Sequence, residues 1–168
     1  YQNANNMTDT MAALSSANQA KLPCRQTLMD DFSNKWSHDG LVMDKWFSLQ
    51  GTSPAKNALG VVKETMNHDA FSLKNPNRTR SLIGSFIAAN PVNFHAIDGS
   101  GYKFATEILT ELNTSNPQVA SRLIDPLLKY RNYDEKRQQL MREQLVKISK
   151  LDDLAKDLFE KVTKALES

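Results

Sequence analysis

The chain has 168 residues, of which 40% are apolar and 24% charged, and its formal net charge is +2. That composition is ordinary for a globular protein with one domain and a sizeable core, and the charge is too small to argue for nucleic acid or an anionic membrane as a partner. The single cysteine, Cys24, excludes an internal disulfide and fits a reducing compartment; no apolar run approaches the roughly 20 residues of a membrane span. The N-terminus, YQNANNMTDT, is too polar for a signal peptide and starts at Tyr1 rather than Met, so the expectation is a fragment of a longer protein.

In chain order, Met7, Met11, Leu14 and Ala17 fall at helical spacing, with Thr8 or Asp9 as caps. Leu22-Pro23 starts a second helix with Cys24, Leu28, Phe32 and Trp36 on its apolar stripe, ended at Gly40 by a left-handed residue. A short helix from Leu41 to Gln50 turns Leu41, Val42, Trp46 and Leu49 inward. Gly51 to Pro54 breaks it and caps the next, which runs to about Asn67 on Leu59, Val62 and Met66. Asn75-Pro76 and Asn90-Pro91 each open a helix, since the Asn side chain accepts from free N–H groups and proline's φ suits the first helical position. The first of these carries Arg78 and Arg80 in its opening turns, where cations oppose the helix dipole.

Asp98-Gly99-Ser100-Gly101 leads into a helix with Phe104, Ile108 and Leu112 on one face. Asn116-Pro117 opens another on Val119, Leu123 and Leu127, which Pro126 kinks or ends. Asp134 caps a long charged helix with Leu140, Met141, Leu145 and Ile148 inward. The last helix, Leu151 to Leu166, pairs Asp152 with Lys156, Asp157 with Lys161 and Glu160 with Lys164 on its outer face. Nothing alternates with period two, so no sheet is expected. About ten helices joined by short loops predict an all-α, helical-repeat-like architecture of the α-solenoid kind.

Chemistry is sparse. His38, His68 and His95 lie far apart and none forms the His-Glu-x-x-His pair of a zinc peptidase, so no metal ligand is assigned. Cys24, on an apolar stripe, reads as a buried thiol rather than a reactive one. His95, Asp98 and Ser100 contain the atoms of a hydrolytic triad without the strand–turn–helix elbow. They read as caps and packing. Lys129, Arg131, Lys136, Arg137 and Arg142 read as a solvated helix surface, and Trp36, Trp46 and Phe47 as core. Two readings fit Arg78, Arg80 and Arg122: internal ion pairs, or guanidinium groups that line a cavity and receive a carboxylate or peptide carbonyl.

The segments NPNRTRSLIGSF, NFHAIDGSGYKF, NPQVASRLIDPLLKY and LFEKVTKAL, with LPCRQTLMDDF and LVMDKWFSLQ upstream, together resemble the C-terminal helical domain of the bacterial aminopeptidase N family over essentially the whole chain. The resemblance implies that residues 1–168 form one C-terminal helical domain, a superhelical array of paired antiparallel helices that closes over a catalytic domain absent from this chain. It implies a cytoplasmic parent enzyme that uses zinc, held in that catalytic domain and not here, to release N-terminal residues from peptide substrates. It also implies that Arg80 and Arg122 face the substrate chamber while Arg78 remains scaffolding. The alternative is a free-standing helical-repeat module that binds a partner protein.

Overall fold

In a computed structural model of the chain, which describes residues 1–167, every regular element is a helix. The residues gather into two compact units divided at the Asn90-Pro91 step. The first contains α1 (Met7–Gln19), α2 (Arg25–Trp36), α3 (Gly40–Gly51), α4 (Ala58–Thr65), α5 (Pro76–Thr79), a π-helical turn (Arg80–Gly84) and α6 (Ser85–Ala89). The second contains α7 (Pro91–Phe94), α8 (Ser100–Ser115), α9 (Pro117–Leu123), α10 (Asp125–Leu128), a 3-10 turn (Tyr130–Asn132), α11 (Glu135–Ser149) and α12 (Lys156–Glu167).

The core of the first unit forms where α2, α3 and the π-helical turn supply large apolar side chains. Met29, Phe32, Met43, Phe47, Leu82, Ile83 and Phe86 are fully buried. Buried polar groups fix how the helices meet. The Trp46 indole N–H donates to the Met29 carbonyl at 2.9 Å, tying α3 to α2. Asn18 donates to the Leu49 carbonyl at 3.0 Å and accepts from Arg25 Nε at 2.8 Å, so one carboxamide joins α1, α2 and α3. Asn90 Nδ2 donates to the carbonyls of Gly51 and Ser53, at 3.0 and 2.8 Å, and so satisfies the end of α3.

In the second unit α8 is the central element, with Tyr102, Phe104, Ala105, Ile108, Leu109 and Leu112 buried along it. Met141, Leu145 and Ile148 of α11 are buried too, and α11 packs on α8. Gly101 is a close-contact position: a Cβ there would fall 2.3 Å from the Phe94 carbonyl oxygen, so only glycine lets α7 and α8 approach this closely.

Several local expectations are corrected. Asn6, not Thr8 or Asp9, caps α1, accepting from the Asp9 N–H at 2.9 Å. Gly40 does not terminate a helix; it is the first residue of α3, whose cap Asp39 accepts from Leu41 and Val42. Leu41 faces outward, 75% exposed, because the buried stripe of α3 is set by Met43, Trp46, Phe47 and Gln50. Cys24 is exposed, since it precedes α2 in a turn instead of lying on its inner face. The last helix begins at Lys156, not Leu151. The turn before it is held by Asn113, which accepts from the Ala155 N–H at 2.8 Å and donates to the Asp153 carbonyl at 3.3 Å. Among the described residues its ion pairs are Lys156 with Glu160 at 3.8 Å and Lys161 with Asp125 of α10 at 2.7 Å, so the expected i,i+4 order is not used there.

Gly51 and Gly60 make a paired test of packing against propensity. A Cβ on Gly51 would meet the Leu82 carbonyl oxygen at 2.4 Å, whereas one on Gly60, inside α4, meets nothing within 4 Å. Gly51→Ala is expected to lower the unfolding free energy by about 1–3 kcal/mol through overpacking against backbone. Gly60→Ala should raise it by about 0.4–1 kcal/mol. Urea unfolding of both variants checks the two signs.

Candidate functional site

The three arginines separate by geometry. Asn75 caps α5 by accepting from the N–H groups of Asn77 and Arg78, and this start aims Arg78 inward. Its guanidinium pairs with Asp44 of α3, donates from Nε to the Ala70 carbonyl at 3.0 Å, and lies 5.8 Å from the centre of the Phe47 ring. With side chains only 13% and 18% exposed, Arg78 and Asp44 form a half-dry pair in which each satisfies the other. This is a scaffolding arrangement: every feature of it points into the first unit.

Arg80, two residues on, is exposed; among the described residues its guanidinium makes a long 3.4 Å bond to the Asn77 carboxamide and no other. Arg122, near the end of α9 in the second unit, is exposed as well, although Val119, Ala120, Ser121 and Leu123 around it are buried. Among the described residues neither arginine joins an ion pair. The internal-pair reading therefore fits Arg78 and finds no acidic partner for the other two. A delocalised fork of five N–H donors, left open to solvent, is suited to carboxylates and peptide carbonyls.

The triad-like cluster dissolves into structure. Asp98 Oδ1 accepts from the Ser100 N–H at 2.9 Å, closing a turn over left-handed Gly99 (φ 72°), and these hydrogen bonds hold its carboxyl below the usual carboxylate value. His95 looks elsewhere. Its Nδ1 lies 2.8 Å from the Tyr102 hydroxyl, its ring stacks on Tyr133 at 4.3 Å, and its carbonyl accepts from Arg137 Nε at 2.7 Å. Burial first, and then the Arg137 charge, push the His95 pKa down; burial pushes the fully buried Tyr102 up to about 12. Arg137 is also paired with Asp134, so this member of the basic region is a clamp inside the second unit. His68 is bound within the first unit, to Ser33 and to the Ala70 N–H. Trp46 and Phe47 are core as expected, with Trp36 half-buried. No three His, Cys, Asp or Glu side chains among the described residues gather in a way that could hold a metal ion.

Comparison with known proteins gives this geometry a context. Residues 1–167 match a family profile described as a domain of unknown function (DUF3458_C), ARM repeats. The chain is 57% identical over 166 residues to aminopeptidase N of Escherichia coli K12, and 36% identical over 163 residues to aminopeptidase N of Caulobacter vibrioides. These alignments cover 99% and 97% of the chain but 19% of each relative, so the chain spans about a fifth of their length. The crystal structure of Legionella pneumophila aminopeptidase A in complex with aspartic acid superposes with a TM-score of 0.89 at 30% identity, covering 97% of this chain and 19% of that one.

The arginine assignments predict a contrast in stability. Arg78→Ala leaves Asp44 half-buried without its partner and should cost about 3 kcal/mol, whereas Arg80→Ala and Arg122→Ala should stay within about 0.5 kcal/mol of the parent in chemical denaturation. The His95 environment predicts a pH dependence with a definite sign. A folded pKa below 6.5 means the unfolded chain binds more protons between the two values. Stability is complete above about 6.5 and falls as the pH drops through that window. The Asp98 and Asp134 carboxyls, held below 3.8, lose their contribution only at still lower pH. His95→Gln should flatten the upper part of the profile in melts recorded across pH, and an unchanged slope there would refute the assignment.

Proposed function

The chain belongs to the DUF3458_C family of ARM-repeat domains, and from that premise we propose that it is the C-terminal helical domain of a zinc-dependent, cytoplasmic aminopeptidase N. The observation that carries this reading is 57% identity to an aminopeptidase N across 99% of the chain. In the proposed role the domain docks on a catalytic domain of the same polypeptide and bounds the chamber that peptide substrates enter. It supplies no catalytic group.

Zinc does not fit this chain. Its three histidines are distributed over both units, two of their rings are bound to Ser33 and to Tyr102, and no three donor side chains converge among the described residues. The ligands and the water-activating base belong, on this reading, to the catalytic domain, and the isolated chain has no turnover of its own. The domain's part in the reaction is positioning. Arg80 and Arg122 present exposed guanidinium groups with no internal carboxylate, which is the state needed to receive a peptide carbonyl or C-terminal carboxylate. A free-standing partner-binding module has no comparable support, since the same helices recur as a fifth of longer aminopeptidases.

Two measurements test the proposal. In the full-length enzyme, Arg80→Ala and Arg122→Ala should each reduce kcat/KM for peptides by about tenfold, the size of one charged hydrogen bond, with little effect on a single-residue chromogenic amide. Unchanged peptide kinetics in both variants would remove the chamber role. Separately, the purified chain supplied with zinc should not cleave alanyl substrates; turnover abolished by a chelator would overturn the assignment of catalysis to another domain.

A further inference from the structure

A cleft of about 550 Å³ opens between α2, α3 and α4 of the first unit, lined by residues that neither the arginines nor the His95 network uses. Trp46, its indole N–H already committed to Met29, forms one wall, and its ring centre lies 5.1 Å from that of His68. His68 Nδ1 accepts from the Ala70 N–H at 3.0 Å, so the ring proton is on Nε2 and is donated to Ser33 Oγ at 2.9 Å. In this tautomer His68 cannot take a proton from Ser33. The pair is therefore no nucleophile and base, and the Ser33 hydroxyl keeps its own proton for another acceptor.

Gln50 is the group that marks the cleft as a site. It is 3% exposed, and its Oε1 accepts from the Arg25 guanidinium at 2.6 Å. Its Nε2 has no acceptor among the described residues. Among the described residues no fully occluded side-chain nitrogen or oxygen lacks a partner, so Nε2 keeps accessible surface, and the cleft is the open space that Gln50 lines. A nearly buried amide donor is thus left open to an occupant. Two carboxylates line the same space. Asp30 of α2 receives one bond from Gln26 at 2.8 Å, and Glu64 of α4 has no side-chain partner among the described residues.

We propose that this cleft binds a small primary ammonium compound with an oxygen acceptor three bonds from the nitrogen, as in an amino alcohol or amino amide. The ammonium is received by Asp30 and Glu64 beside the Trp46 wall, and the oxygen accepts from Gln50 Nε2 and the Ser33 hydroxyl. Other occupants fit worse. An anion meets two carboxylates against the one guanidinium of Arg25, whose charge acts on Asp30; an apolar molecule leaves the Gln50 donor unpaired, and a metal ion lacks a third ligand. This site does not rest on the peptidase reading, and its test reads binding rather than activity.

The test is a pair of ligand-observed saturation-transfer NMR titrations on the full-length protein, with 2-aminoethanol and with ethylamine, which lacks the acceptor. The parent should bind 2-aminoethanol saturably and about fivefold tighter than ethylamine, the worth of one hydrogen bond. Gln50→Glu keeps the oxygen that Arg25 needs but replaces the free donor with an acceptor, so the preference should fall to what the Ser33 hydroxyl alone supports. Asp30→Asn combined with Glu64→Gln should weaken both amines by about tenfold. If Gln50→Glu fails to fold by circular dichroism, Ser33→Ala, which should reduce the preference, and the acidic pair still decide the matter. Absence of saturable binding, or affinities indifferent to these substitutions, overturns the proposal.

Discussion

A helix of four to sixteen residues is largely made of ends, and this chain is built from such helices throughout. Each start leaves backbone N–H groups without an intrahelical acceptor, and each finish leaves carbonyls without a donor. Satisfying them is the constraint on which the rest depends. The chain meets it with short polar side chains: Asn6, Asp39, Asn75, Asn116 and Asp134 accept at the starts of α1, α3, α5, α9 and α11. Asn90 donates twice at the finish of α3, and Asn113 fixes the turn that launches α12. At the five capped starts the end is settled locally, which leaves apolar contact to choose the inward face.

Because most of these caps are sequence-local, much of the fold could be read without coordinates. The Asn75, Asn116 and Asp134 starts, the break around Pro126 and the buried faces of α8, α9 and α11 follow from caps and 3.6-residue spacing. Two of the failures come from partners distant in sequence. Leu41 has the right type and nearly the right phase to be buried, but α3 is rotated by what α2 and the π-helical turn present to it. The start of α12 is decided by Asn113, some forty residues upstream. No pattern in LDDLAK announces it.

The candidate site shows the same boundary. Composition offered three arginines in similar settings, and nothing in Asn-Arg-Thr-Arg tells which one turns inward. The structure separates them because Asp44 and Phe47 of α3 wait for Arg78 and not for Arg80. Gln50 was invisible for a related reason. A glutamine on an apolar stripe reads as a compromise, and only the pairing of its oxygen with Arg25 shows that its nitrogen is the group left over. Motifs dense in chemistry-bearing atoms, such as His95 with Asp98 and Ser100, proved structural.

The π-helical turn between α5 and α6 has a consequence for how such a chain tolerates change in length. A π turn accommodates one residue more than the α-helical pitch calls for, within an unbroken helix. Here two buried stripes share one rod on either side of it: Thr79 ahead, Phe86 and Ile87 after. A single-residue deletion among Arg80–Gly84 could then be absorbed by reversion to ordinary pitch. It would rephase one stripe against the other by about 100° without cutting the helix.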